Sequence, residues 1–376
     1  MCERLFIFAG GGTGGHLFPG LAIAEALVAI EPRARALFLC SDKSLDADIL
    51  SRESARSVPV PARPLILRPR GIVRLMRSWG PSVRLARSAI AGRHPAGPGA
   101  EAVVALGGYV AAPVVQAARA ERIPVVLVNL DAVPGKANRW IARNADVRLT
   151  ASEILKGPAS AARWERIPPL VRRRALASGT PQECRVRLGL DPDRPTLLVT
   201  GGSQGAGSIN AFVLALARAH PQALQGWQVM HQAGAQEADA VRGTWAELGI
   251  PARVEAFISA MGDAWGAAEV AVSRCGAGSV AEAWANATPA IFLPYPWHKD
   301  QHQRWNARAL EQAAAAVVVD DLIDGPRTLT ACSATVLPIF TDQAVREAMR
   351  GAYAALGPAD GAQRVAKLLA AGVKRG

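Results

Sequence analysis

Short β-branched and apolar runs alternate with longer helical patterns along the whole chain, as expected of parallel sheets covered by helices on both faces. The first series of runs places strands at Leu5–Ala9, Ala36–Cys40, Ala102–Leu106, Val125–Val128 and Val147–Thr150. A second series follows at Thr196–Thr200, Trp227–Gln232, Val270–Ser273, Ala290–Leu293 and Ala315–Val319. The predicted class is α/β.

Both series open as strand, glycine loop and helix. RLFIFAGGGTGG leads into a helix from about Pro19, and PTLLVTGGSQGAG into one from about Ser208. This restart predicts two domains, 1–167 and 168–342, joined through a Pro- and Arg-rich stretch within 158–195. A helical segment, 343–376, is expected to return towards the first domain.

With 376 residues, 50 % of them apolar, the chain can bury a sizeable core. No apolar stretch approaches the roughly 18 residues of a membrane-spanning helix, and Leu5–Ala9 is too short for a secretory signal. Cys2, Cys40, Cys184, Cys275 and Cys332 form no CxxC pair, which argues against a disulfide framework and a zinc site. A soluble cytoplasmic protein is expected. The net charge of +12 is uneven: residues 1–170 hold 23 Lys or Arg against 13 Asp or Glu, the remainder 20 against 18. That excess favours an anionic partner. Nucleic acid is the weaker option, because aromatic residues are only 5 % of the chain and no reading motif is present.

Gly10, Gly12 and Gly15 satisfy GxGxxG directly after a strand, so either a diphosphate at a helix N-terminus or an empty tight turn fits. For a nicotinamide enzyme the acidic ribose ligand should follow about 20 residues on, and Asp42 lies late. His16 either meets an anion, acts as a base, or caps the helix. Gly201–Gly207 makes a second cradle, with Ser203 and Gln204 adding polar side chains. A third glycine element, Ser273–Ser279, leads to Glu282, which either accepts ribose hydroxyls or completes an S-x-x-E capping box with Ser279. His298, Asp300, His302 and Gln303 crowd one segment. Sugar recognition suits them better than a metal, for which no second ligand cluster exists.

Arg63–Arg93 carries eight arginines and no acidic residue, interleaved with Ile66, Leu67, Ile72, Val73, Leu75, Met76, Trp79 and Val83. The combination suits an anionic membrane surface. Pro64, Pro69, Gly71, Gly80 and Pro81 interrupt its helical periodicity, so a solvated basic loop is the alternative.

Taken together, GGGTGGHLFPGLAIAEAL, ALGGYVAAP, GGSQGAGSIN, SRCGAGSVAEA and PYPWHKDQHQRWNA stand in the order and approximate spacing of one family. Over essentially its whole length the chain resembles the MurG family of N-acetylglucosaminyltransferases. The resemblance implies a GT-B fold, two Rossmann-like domains with parallel sheets facing across a cleft. It implies that Gly12, Thr13, Gly14, Gly15, His16, Gly108 and Tyr109 serve a lipid-linked diphosphate acceptor. To the donor, UDP-N-acetylglucosamine, it assigns Thr13, Gly14, Asp131, Arg172, Ser203, Gln204, Gly278 and Ser279. Ile258 would read uracil through its backbone, Glu282 would hold the ribose, and His302 with Gln303 would read sugar hydroxyls. Ile72, Leu75, Met76 and Trp79 match the membrane-docking region, which places the protein on the cytoplasmic face of the plasma membrane.

The implied reaction is inverting transfer to a muramyl C4 hydroxyl of lipid I, with His16 or Asp131 as base and neither cofactor nor metal assigned. Three departures from the family pattern stand out. The usual Glu-Gln-Asn is Asn129-Leu130-Asp131, an Asn-Pro is Pro169-Leu170, and an expected arginine is Gly207. These leave room for a different acceptor or for a catalytically impaired binding protein. A nicotinamide oxidoreductase is remote.

Overall fold

The computed structural model describes residues 3–12, 14–95, 97–154, 164–202, 205–297 and 301–375. The chain divides into two compact units, Met1–Arg172 with Asp360–Gly376, and Arg173–Ala359.

The first unit holds seven parallel strands: β1 (Arg4–Ala9), β2 (Ala34–Ser41), β3 (Ser57–Val60), β4 (Ala100–Ala105), β5 (Val125–Asn129), β6 (Val147–Thr150) and β7 (Glu165–Arg166). Their order is β3-β2-β1-β4-β5-β6-β7. The second unit holds β8 (Thr196–Thr200), β9 (Gln228–Gln232), β10 (Ala252–Glu255), β11 (Val270–Ser273), β12 (Ala290–Phe292) and β13 (Ala316–Val318), all parallel, in the order β10-β9-β8-β11-β12-β13. Period-2 alternation sends Leu197, Val199 and Ile291 into the core on one face and Leu198, Ala290 and Phe292 into the core on the other. Central strands buried twice over must be apolar at every position, which is why they stood out in the sequence.

The three strands without a clear signal, β3, β7 and β10, are all outermost in their sheets. β3 carries Pro59, and β10 turns Arg253 to solvent, as edges do to discourage further pairing.

The first helix begins at Gly14, not near Pro19, so Gly14, Gly15 and His16 form its first turn. The interrupted basic stretch is in fact one helix, Pro69–Ile90. Pro69 starts it, where a missing N–H costs nothing, and Pro81 is accommodated within it. Among the described residues no helix is long and apolar enough to cross a membrane.

The second unit extends further than expected from the sequence. Helices Gly325–Thr341 and Gln343–Ala352 belong to it, because Leu329, Val336, Ile339, Phe340 and Met349 enter its core. The return to the first unit begins at Asp360, and helix Gly361–Ala371 buries Val365, Ala366 and Leu369 there against helix Gly14–Ile30. Arg4 ties this helix down by donating to the Ala370 carbonyl at 3.0 Å.

Candidate active site

In an open parallel sheet, loops diverge where the strand order reverses, and ligands settle outside the strand ends there. The reversal falls between β1 and β4 in the first unit and between β8 and β11 in the second. These four strands are the ones followed by the glycine segments.

In the first unit, Gly12 (φ +90°) and Gly108 (φ +77°) have backbone conformations that favour glycine. A Cβ on Gly12 would lie 2.8 Å from Tyr109 Cε1, and one on Gly108 would lie 2.8 Å from the Gly11 carbonyl oxygen and 3.2 Å from His16 Cδ2. Gly12, His16, Gly108 and Tyr109 are thus packed together. Gly14 and Gly15 adjoin them, and Thr13 lies outside the described residues.

Two side chains that the sequence did not single out pin this loop. Asp46 is fully buried, and its Oδ2 accepts from the Gly12 N–H (2.7 Å), the Ser41 N–H (2.9 Å) and the Ser41 hydroxyl (2.6 Å). Lys43 Nζ donates to the Gly12 carbonyl at 3.2 Å. The Gly12 amide therefore donates to a carboxylate, whereas the amides of a helix's first turn, here Gly14 to His16, have no intrahelical acceptor. Asp42, weighed as a ribose ligand, pairs with Arg63 at 2.8 Å.

His16 Nδ1 is buried. Burial pushes the imidazole below its ordinary pKa, and the Asp131 carboxylate opposes that shift. His16 is consequently neutral at pH 7 and able to take a proton. Asn129, fully buried, donates to the Asp131 carbonyl (2.7 Å) and Thr150 Oγ1 (3.1 Å) and accepts from Asn138 Nδ2 (3.0 Å). It shapes the loop from within and does not face a ligand.

In the second unit, Gly202 (φ +82°) and Gly205 (φ +75°) turn the chain into helix Gly207–Ala219, while Ser203 and Gln204 lie outside the described residues. A Cβ at Gly207 would approach Glu237 Oε1 to 2.6 Å, and Glu237 Oε2 is held by Asn210 Nδ2 at 2.6 Å. Gly207, where the resemblance implies an arginine, thus lies against the Glu237 carboxylate. Beneath this helix His231 sits fully buried, accepting from Trp245 Nε1 at Nδ1 (3.1 Å), so its Nε2 donates to Asn210 Oδ1 (2.9 Å). Burial lowers its pKa to about 3.

Helix Ala277–Ala285 is capped by Gly276, which places Ser279 inside the first turn. The Ser279–Glu282 capping box is therefore absent. Glu282 Oε2 instead accepts from the buried Trp265 indole N–H at 2.8 Å. A Cβ on Gly276 or Gly278 would meet none of the described residues within 4 Å. Arg274, also unforeseen, is buried between Asp321 (2.6 Å), Ser208 Oγ (2.7 Å) and the Leu293 carbonyl (3.0 Å), tying together the loops after β11 and β12. Gln303 Oε1 accepts from the Tyr295 N–H at 2.9 Å. His302, partly exposed, opens the short helix His302–Asn306. His298 and Asp300 lie outside the described residues, among which no group of three His, Cys, Asp or Glu is placed to hold a metal ion.

Arg172 is engaged by acidic side chains. It belongs to the first unit, where it pairs with Glu25 (2.8 Å) and Glu53 (2.6 Å) beneath the Phe18 ring. Two carboxylates compete there with any donor phosphate for its guanidinium.

Residues 6–149 match the glycosyltransferase family 28 N-terminal domain, and residues 196–365 match the family's C-terminal domain. The UDP-N-acetylglucosamine–N-acetylmuramyl-(pentapeptide) pyrophosphoryl-undecaprenol N-acetylglucosamine transferase of Clavibacter michiganensis subsp. michiganensis is 36% identical, across 97% of this chain and 95% of that protein. The protein of the same name from Geobacter sulfurreducens is 30% identical across 98% and 99%. Among solved structures, Acinetobacter baumannii MurG superimposes with a TM-score of 0.72 over 98% of this chain and 99% of that one, at 23% identity, a likeness of fold. A calicheamicin glycosyltransferase, CalG4, gives 0.63 at 17% identity. With both sheets parallel, each opened at its switch point by glycine loops, and with relatives matching from end to end, the chain is a GT-B glycosyltransferase of family 28 and belongs to the MurG family.

Proposed function

We propose that the protein transfers N-acetylglucosamine from UDP-N-acetylglucosamine to the C4 hydroxyl of the muramyl sugar of lipid I, with inversion, forming lipid II for peptidoglycan synthesis. The observation carrying this reading is end-to-end relatedness at up to 36% identity to transferases of that name, combined with glycine loops at both switch points.

The chemistry makes two demands. Negative charge builds on the departing UDP, and preorganised donors must meet it. The N-termini of helices Gly207–Ala219 and Ala277–Ala285 present first-turn amides, which lack the acceptor four residues earlier in a helix, together with the positive end of the helix dipole. Gly278 and Ser279 stand in the second of these turns, beside Glu282, whose carboxylate suits the ribose. A base must also take the C4 proton. Neutral His16 serves, with the Asp131 carboxylate favouring the imidazolium that forms.

Labelled N-acetylglucosamine supplied as the UDP donor should appear in a β-1,4 disaccharide on a soluble lipid I analogue, with one UDP released per transfer. UDP binding without transfer to that acceptor would overturn the reading in favour of another acceptor. The Asn129-Leu130-Asp131 departure offers that alternative little support, since Asn129 is spent on internal hydrogen bonds.

The acceptor's lipid implies work at an anionic membrane surface, on the cytoplasmic face. Leu65, Ile66, Leu67, Ile72, Val73 and Met76 are exposed, Met76 at 72%, among the exposed Arg68, Arg70, Arg74 and Arg77. Apolar groups can insert there while guanidiniums meet headgroups. Leu75 and Trp79 are only partly exposed, and the Trp79 indole donates to Gln116 at 2.6 Å. Replacing Ile72 and Met76 together by serine should weaken binding to phosphatidylglycerol vesicles about tenfold or more, by the area coefficient for two apolar side chains, and leave UDP affinity unchanged. Vesicle binding equal to wild type would remove this surface from the reading.

A further inference from the structure

Gln232 ends β9, next to the switch-point strand β8, and is 1% exposed. Neither of its two amide ends is left to solvent. Nε2 donates to the Gly202 carbonyl at 2.6 Å, with Thr200 Oγ1 at 3.4 Å. Oε1 accepts from the Ile258 N–H at 2.8 Å. One planar group thus spans the glycine loop after β8 and the segment after β10. The Gly202 N–H in turn donates to Thr200 Oγ1 at 3.3 Å, so Gly202 is held at both its N–H and its carbonyl. Ile258 is buried, and its N–H is spent on Gln232, so the polar atom of that residue left for a ligand is its carbonyl, an acceptor. An acceptor there complements the N3–H of uracil and repels the N3 lone pair of cytosine.

The geometry points to Gln232 as a positioning residue that locks the diphosphate loop and the base-reading segment of the UDP site into one register and thereby sets donor affinity and uracil selectivity. This rests on the assignment of the second unit to UDP-N-acetylglucosamine. Gln232 does not itself touch the nucleotide. Its two hydrogen bonds hold in advance the backbone that does, so binding does not have to order two loops independently. The direction of each bond is fixed by the amide: only a group that both donates and accepts satisfies the Gly202 carbonyl and the Ile258 N–H together.

Two near-isosteric variants separate the arms. Gln232→Met removes donor and acceptor, whereas Gln232→Glu at pH 8 keeps an acceptor for Ile258 but sets a carboxylate against the Gly202 carbonyl. Calorimetric titration of each variant and of wild type with UDP, CDP and uridine, together with donor kinetics, reads the result. Wild type binding UDP well above CDP establishes the underlying site; absence of UDP binding by wild type would overturn that assignment and this inference with it. Given that site, Gln232→Met is expected to weaken UDP by about tenfold or more, the worth of one or two buried hydrogen bonds. It should also narrow the UDP-to-CDP ratio and raise the donor KM, with the acceptor KM unchanged. Gln232→Glu is expected to weaken UDP while keeping wild-type selectivity among uridine and cytidine ligands. UDP affinity, donor KM and base selectivity all within twofold of wild type in Gln232→Met, with only the melting temperature lowered, would overturn the inference and leave Gln232 a packing residue.

Discussion

Replacing His16 by alanine is expected to lower kcat by about 10²- to 10⁴-fold, the usual contribution of a general base, while UDP affinity stays within about twofold of wild type. The second half follows because His16 lies in the first unit, whereas Gly278, Ser279 and Glu282, proposed to meet UDP, lie in the second. The pH dependence gives the sharper test. Burial lowers the His16 pKa, so the neutral, proton-accepting form persists to more acidic pH than for a free histidine. The acid limb of kcat/KM should therefore fall below pH 6.5, the ordinary value, with activity lost as pH drops through it. Asp131→Asn removes the carboxylate that raises the His16 pKa, and should move that limb lower still. A limb above pH 6.5 would overturn the role of His16 as a buried base, and a larger loss of kcat in Asp131→Asn than in His16→Ala would transfer that role to Asp131.

The second large effect concerns Glu282, where two substitutions must be compared. Glu282→Ala takes away the acceptor of the buried Trp265 indole N–H. Orphaning such a donor costs about 1–3 kcal/mol, so this variant should lose stability as well as donor binding. Glu282→Gln retains a carbonyl oxygen for Trp265 but loses the charge that strengthens a bond to ribose hydroxyls. It should keep the wild-type melting temperature within about 2 °C, less than the shift that 1 kcal/mol produces in a domain of this size. Its donor KM should nevertheless rise about tenfold, the equivalent of about 1.4 kcal/mol. An unchanged donor KM in Glu282→Gln, alongside a lowered melting temperature in Glu282→Ala, would make Glu282 a support for Trp265 and nothing more.

The central strands and glycine loops were legible in the sequence because physical constraints leave few residues to choose from. A strand covered on both faces must be apolar, and a backbone at positive φ against a neighbouring chain must be glycine, as at Gly12 and Gly108. Outer strands such as β3 and β10 pair on one side only and obey neither constraint. The supporting polar residues were illegible for a different reason. Asp46 and Gln232 act on loops that follow other strands, and the parallel register alone brings Asp46 to Gly12 and Gln232 to Gly202. Local spacing misled at Ser279 and Glu282, where S-x-x-E is present but the helix had already begun at Ala277. It misled again over Pro69–Ile90, whose prolines and glycines fit within a single helix. Nor did spacing foretell the partners of Arg172, since Glu25 and Glu53 lie far away in sequence.

The return of the chain at Asp360 also sets an order of assembly. Residues 173–359 form an uninterrupted unit, whereas the unit built on residues 1–172 takes its closing helix from Gly361–Ala371. A ribosome delivers β1 and helix Gly14–Ile30 before residues 173–359, yet the apolar surface that Val365, Ala366 and Leu369 will cover stays bare until that entire intervening unit has been made. The usual N-to-C sequence of domain completion is reversed. The nascent first unit spends translation with an uncovered apolar strip, the stage at which a chaperone has most to protect.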